Sequence, residues 1–257
     1  MTLVAAAVAV FLGAGLQSAT GFGFALVSAP ILFAVLGPRQ AVTAGALLGV
    51  ELSLLTLATE RRVPRVLHGE ALALVLWSLP GLALGAVALR ELPDRVLSVL
   101  VALAVLAGLI LRLRGRERAR EPAAQEPEGS QPGDVVVPAR PWRTAVAGAS
   151  SGALSTATSL SGPPLVLHLL ARGLSPQQMR DTLAAVFVAL AALSAAALLV
   201  AGTFVTPSGL GVLLGAGLAG QVVGRRGFAL LRGERHEDAM LVVLAVTAVV
   251  ALVSSVL

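Results

Sequence analysis

Residues 3–36 read LVAAAVAVFLGAGLQSATGFGFALVSAPILFAVL, without one charged side chain. Crossing a hydrocarbon core of about 30 Å takes about 20 such residues. The run is therefore too long for one crossing and too apolar for water. Thr20-Gly21-Phe22-Gly23 interrupts it, and Pro30 and Pro38 are expected to close it, because glycine and proline weaken or end helices. Unpaired backbone is not tolerated in lipid, so the apolar arms must be helical. Their unbroken Val, Leu and Ala lack the alternation of a barrel strand. The element is either one long tilted helix or two short arms meeting near the middle of the membrane.

Working outward, Ala41–Thr59, Ala71–Leu89, Val96–Leu111, Thr182–Val205 and Met240–Leu257 are further apolar runs. The chain is 56% hydrophobic and 13% charged, with a mean hydropathy of +0.88. A soluble domain carries about 25% charged residues, so this one has too little polar surface to cover a water-exposed globule. The expectation is an all-α integral membrane protein. All 19 basic residues are Arg, the net charge is +5 and the pI is about 11.4. Such a balance can indicate nucleic acid. Here the arginines cluster in short loops between apolar runs, as topology-setting charges do, and no nucleic-acid-reading motif accompanies them. Nucleic acid is excluded as a partner. Cysteine is absent, which excludes disulfides and thiolate metal sites. No positive segment precedes Leu3, so the first run is expected to remain in the mature protein.

One polar stretch, Arg112–Arg143, divides the chain, and its Pro/Glu/Gly/Gln-rich part, Glu121–Gly133, suits a solvated linker. The expected organisation is a first transmembrane repeat over 1–111, a linker over 112–143 and a second repeat over 144–257. Ser18-Ala19-Thr20 matches Thr156-Ala157-Thr158 at an offset of 138 residues. Leu36-Gly37-Pro38-Arg39-Gln40 matches Leu174-Ser175-Pro176-Gln177-Gln178 at the same offset, and Gly81-x3-Gly85 matches Gly220-x3-Gly224 at 139. Three matches in one order indicate duplication. The partner of the first run, Thr144–Arg172, is broken by Ser159-Leu160-Ser161-Gly162-Pro163-Pro164.

Arginine placement discriminates between the alternatives for the broken elements. If each crosses once, the arginines divide 10 to 9 between the two sides. If each enters and returns on one side, they divide 16 to 3, the three being Arg39, Arg90 and Arg95. The positive-inside rule favours the second arrangement. Each half is then a broken or re-entrant helical hairpin plus three transmembrane helices. The odd number of crossings makes the halves inverted repeats, with a cytoplasmic linker and both termini outside. Whether the hairpins are re-entrant or cross as short helices stays open.

In that arrangement the two hairpin tips meet near the midplane. They bring Gln17, Ser18, Thr20, Gly21 and Gly23 towards Ser155, Thr156, Thr158, Ser161 and Gly162. Helix N-termini at such breaks aim N–H groups and a positive dipole end at an anion, and the hydroxyls and the Gln17 amide can donate further bonds. The plainer reading is that small residues let helices pack closely. Two clusters at equivalent positions, each beside a break, favour a substrate-binding site. Glu51, in the middle of the second run, suggests a proton or ion role, or a structural partner for an arginine or hydroxyl. His168 can titrate near neutral pH or can simply be packed. Arg180 and Asp181 open a helix as an interfacial pair or cap, and Gln221 is a candidate cavity residue. The two glycine pairs read as packing motifs. Gly148-Ala149-Ser150-Ser151-Gly152 fits G-x-S-x-G by letter, but that pattern supplies a nucleophile only on a strand–turn–helix elbow. No catalytic residue, cofactor loop or metal-ligand set is expected.

Gly15-Leu-Gln-Ser-Ala-Thr-Gly-Phe-Gly-Phe-Ala-Leu-Val-Ser-Ala-Pro30, Gly152-Ala-Leu-Ser-Thr-Ala-Thr-Ser-Leu-Ser-Gly-Pro-Pro-Leu-Val166 and Arg180-Asp-Thr-Leu183 resemble the sulfite exporter TauE/SafE family, also called the 4-toluene sulfonate uptake permease family. The second stretch departs at Ser159-Leu160-Ser161, where that family's pattern has Gly-Leu-x-Gly. The resemblance implies a permease moving sulfite, a sulfonate or a related organosulfur anion across the bacterial inner membrane, with both motif regions at the substrate. Its partners are then the small anion and the lipid bilayer; a homodimer is left open. Two competing readings remain. One is an intramembrane hydrolase using Ser150 or Ser155 with His168, which needs Ser–His contact within about 3 Å. The other is a non-catalytic scaffold, packed without a cavity.

Overall fold

The computed structural model describes residues 2–20, 23–59, 64–120 and 140–230. Among these the chain is helical, without strands: α1 (Thr2–Thr20), α2 (Phe24–Leu36), α3 (Pro38–Thr59), α4 (His68–Glu91), α5 (Asp94–Arg120), α6 (Pro141–Thr158), α7 (Gly162–Leu170), α8 (Pro176–Val200) and α9 (Leu210–Leu230). By length and composition α3, α4 and residues Gln177–Val200 of α8 can each cross a membrane, while α1 and α2 contain shorter apolar segments. The expected span Met240–Leu257 lies outside the described residues. Helix α5 continues through Arg112–Arg120, the start of the polar stretch, and α6 begins at Pro141.

Both long first elements are broken. Helix α1 gives way to α2 at residues 21–23, and α6 to α7 at 159–161. Gly23, at φ 113°, and Ser159, at φ 62°, adopt left-handed backbone at the two breaks. Pro30 does not close the run as expected. It lies inside α2, which ends at Gly37 with φ 77°. One backbone bond lost to proline costs less than ending a helix there, which would leave its last carbonyls without partners in an apolar setting.

The faces of the helices follow from spacing. On α4, Leu74, Ser78, Gly81, Leu82, Gly85 and Leu89 are buried, while Leu72, Leu76, Leu79, Leu84 and Val87 are exposed. Each set recurs every three to four residues, which puts it on one side of a helix. The buried side packs on α6. A Cβ at Gly81 or Gly85 would strike the carbonyls of Ala149 or Ala153, and Gly152 meets Ser78 in the same way. Helix α9 packs on α1 by the same means, with Gly220 against Phe11 and Gly224 against Gly15 and Ser18. Close approach through small residues is how helices associate in lipid, where apolar surface gains nothing by hiding. The distribution of polarity agrees. Val200 is 90% and Leu84 67% exposed, whereas Ser151, Thr156 and Thr158 are fully buried. Apolar surface outside and polar groups inside mark an integral membrane protein.

Candidate functional site between the two helix breaks

A cavity lies where the two breaks meet α3 and α8. About 70 Å³ of it is open to the centres of water-sized spheres. A water needs about 10–15 Å³ by that measure, so the space suits several waters or one small oxyanion. From α1 comes Gln17; from the start of α2, Gly23 and Phe24; from the second break, Ser155, Ser159, Ser161 and Gly162. Helix α3 supplies Gly45, Gly49 and Ser53, and α8 supplies Phe187 and Ala191. Among the described residues, no charged side chain lines it.

Two helix N-termini open onto this space. Neither Gly23 before α2 nor Ser161 before α7 offers a side-chain cap. First-turn N–H groups have no partner within their own helix, and the dipole adds a partial positive charge. The ends are unequal, because Pro163 and Pro164 remove two donors from the first turn of α7. The hydroxyls are held in place. Ser155 Oγ and Ser194 Oγ are 2.7 Å apart, and Ser159 Oγ donates to Val42 O at 3.3 Å. A Cβ at Gly45 would collide with the Ser159 side chain, so that glycine makes room for the serine.

Of the ten residues expected to hold substrate, Gln17, Gly23, Ser155, Ser161 and Gly162 border the cavity. Ser18, Thr156 and Thr158 are not among its lining. Ser18 Oγ donates to Gly15 O at 2.8 Å, Thr156 Oγ1 to Leu82 O of α4 at 2.8 Å and Thr158 Oγ1 to Leu154 O at 2.7 Å. In apolar surroundings a short hydroxyl takes the nearest helix carbonyl. Thr20 ends α1, and Gly21 lies outside the described residues. Sequence reasoning missed Ser159, Ser53, Gly45 and Gly49. The signal was present: 45, 49 and 53 are three small residues four apart on one helix face.

The titratable candidates lie elsewhere. Glu51 packs on Gly217 of α9, and its Oε2 is buried without a hydrogen-bond partner. His168 Nε2 is 2.6 Å from Glu70 Oε1, which also accepts from Thr144 Oγ1 at 3.2 Å; Arg172 pairs with Glu70 Oε2 at 3.0 Å. This buried cluster ties the end of α7 to the first turns of α4 and α6. Arg180 and Asp181, expected as a pair or cap, also make long-range contacts. Asp181 Oδ2 accepts from Arg65 N at 2.8 Å, Arg180 Nη2 donates to Ser18 O at 3.2 Å, and Ser175 caps α8. Gln221 donates to Thr56 rather than lining the cavity.

The hydrolase reading finds no support in this geometry. Ser150 Oγ donates to Val146 O of its own helix at 2.6 Å, Ser155 faces Ser194, and the imidazole of His168 is engaged by Glu70. The presence of a cavity likewise argues against the scaffold reading. No curated protein and no solved structure matches the chain significantly. The family model described as Sulfite exporter TauE/SafE matches residues 5–251. With nearly the whole sequence covered, the chain belongs to the sulfite exporter TauE/SafE family, membrane transporters of sulfur anions rather than enzymes.

Proposed function

We infer that the protein is a secondary permease of the bacterial inner membrane that holds sulfite, a sulfonate or a related organosulfur anion in the cavity between the two breaks. The observation that carries this reading is the convergence of two uncapped helix N-termini, α2 and α7, on one small cavity that has no charged side chain among the described residues lining it. Backbone dipoles and hydroxyls bind an anion without a fixed counter-charge, which suits a site that must also release it. Gln17, Gly23, Ser155, Ser159, Ser161 and Gly162 are the proposed contacts.

The inverted-repeat plan, with repeats over 1–111 and 144–257, is part of the proposal. It draws support from matched pairings. Helix α1 packs on the paired glycines of α9, and its counterpart α6 packs on the paired glycines of α4.

The test is flux of sulfite and sulfonates in proteoliposomes. A hydrogen bond to a charged group is worth about 1.5–3 kcal/mol, and 1.4 kcal/mol is tenfold in affinity. Ser155→Ala is expected to weaken half-saturation about tenfold, whereas Thr158→Ala, away from the cavity, should match the parent. Folded protein that moves no anion would remove the reading.

A further inference from the structure

Two buried oxygens without a hydrogen-bond donor lie along one seam: Glu51 Oε2 on α3 and Gln221 Oε1 on α9. Bonding fixes which way the Gln221 amide points. Thr56 Oγ1 spends its proton on Leu52 O at 2.8 Å, so it accepts from Gln221 Nε2 at 3.0 Å. The carbonyl end is therefore the one left over, on a side chain only 3% exposed. An ionised carboxylate can only accept, so burying its oxygen without a donor is costly. Adding a proton to Glu51 turns an acceptor into a donor.

The seam also runs to exposed residues at the end of α3. Helices α3 and α9 run side by side in the same direction. Glu51 packs on Gly217, Thr56 bonds Gln221, and Thr59 O accepts from Arg225 Nη2 at 3.3 Å. Thr59 and Arg225 are exposed. Polar groups thus recur about once per helical turn of 5.4 Å from the exposed end of α3 to Glu51. Gly45, Gly49 and Ser53 wall the cavity from the side of α3 away from Glu51, a face that Thr56, seven residues after Gly49, shares. Other charges on the helices packed around α3 sit towards their ends. Helix α2 has none, and α3 itself adds only Arg39. Helix α8 has Arg180 and Asp181, and α9 has Arg225 and Arg226. Helix α6 has Arg143, and α5 has Asp94, Arg95 and the stretch from Arg112.

We propose that Glu51 takes up and releases the proton that drives anion transport, reached from the end of α3 along the Thr56–Gln221 seam. The inference rests on the transporter reading. The full chain in proteoliposomes, with a sulfonate whose charge does not change near neutral pH, provides the test. A pH gradient should drive accumulation in the parent. Glu51→Gln should abolish that accumulation while retaining sulfonate-for-sulfonate exchange, and Gln221→Leu should slow the driven process more than the exchange. A hydrophobic carbodiimide, which attacks protonated buried carboxyls, should label Glu51 more at acidic than at alkaline pH. Undiminished pH-driven accumulation in Glu51→Gln overturns the proposal, as does uptake driven by sodium and indifferent to pH; both leave the transporter reading standing. Absence of exchange for every anion in the folded parent removes both.

Discussion

Ser159 shows how much a single position can carry. It has the left-handed backbone that glycine adopts freely, with φ 62° and ψ 11°, at a position where the resemblance led to the expectation of glycine. A side chain there costs roughly 1–2 kcal/mol, against which stands its hydrogen bond to Val42 O, worth about 1 kcal/mol. Ser159→Gly should therefore shift thermal unfolding in detergent by no more than about 1 kcal/mol, while altering flux through the loss of a cavity hydroxyl. Glu70 is the opposite case. Its side chain is 8% exposed and faces His168 and Arg172. Removing one member of a buried ion pair costs about 3–5 kcal/mol, so Glu70→Ala should lower the melting temperature far more than Ser159→Gly does. The sequence made such polar residues visible, because each one is conspicuous in an apolar run. It did not reveal their partners. Ser18 and Ser155 look alike as letters, yet one bonds its own helix and the other faces the cavity, and a helix rotation of a few tens of degrees makes that difference.

At the scale of elements, glycine spacing decides which helices touch. Gly81 and Gly85 face the backbone of α6, and Gly220 and Gly224 face that of α1. Overpacking such contacts costs about 1–3 kcal/mol. Gly85→Leu should separate α4 from α6, lower the melting temperature and reduce folded yield. Gly69→Ala, where a Cβ meets nothing within 4 Å, should change neither. The breaks were legible for the same kind of reason, because glycine and proline leave local marks that survive without tertiary information. Pro30 was misread because proline raises the cost of a helix without forbidding it. The small-residue face of α3 was overlooked because nothing in a spacing of four says whether the neighbour is a helix or a cavity.

At the scale of the whole molecule, the proposed topology puts Arg39 and Arg65, both exposed, on opposite sides of the bilayer. The chain contains no cysteine, so Arg39→Cys and Arg65→Cys each create a unique thiol. A membrane-impermeant maleimide applied to right-side-out cells should label the first and not the second; labelling of both or neither from outside would sink the inverted plan. The arginine asymmetry was readable because charge bias operates on sequence. The meeting of the two breaks was expected as well; the share of the cavity wall supplied by α3 and α8 was not, because it joins residues more than a hundred positions apart. The paired prolines that open α7 have a consequence at this scale. With fewer amides on offer there than at α2, an anion held at the proposed site would be gripped more strongly at the α2 end. A carrier whose grip is lopsided half-saturates at different concentrations from its two faces, so influx and efflux measured in the same vesicles should show unlike KM values even with no driving gradient.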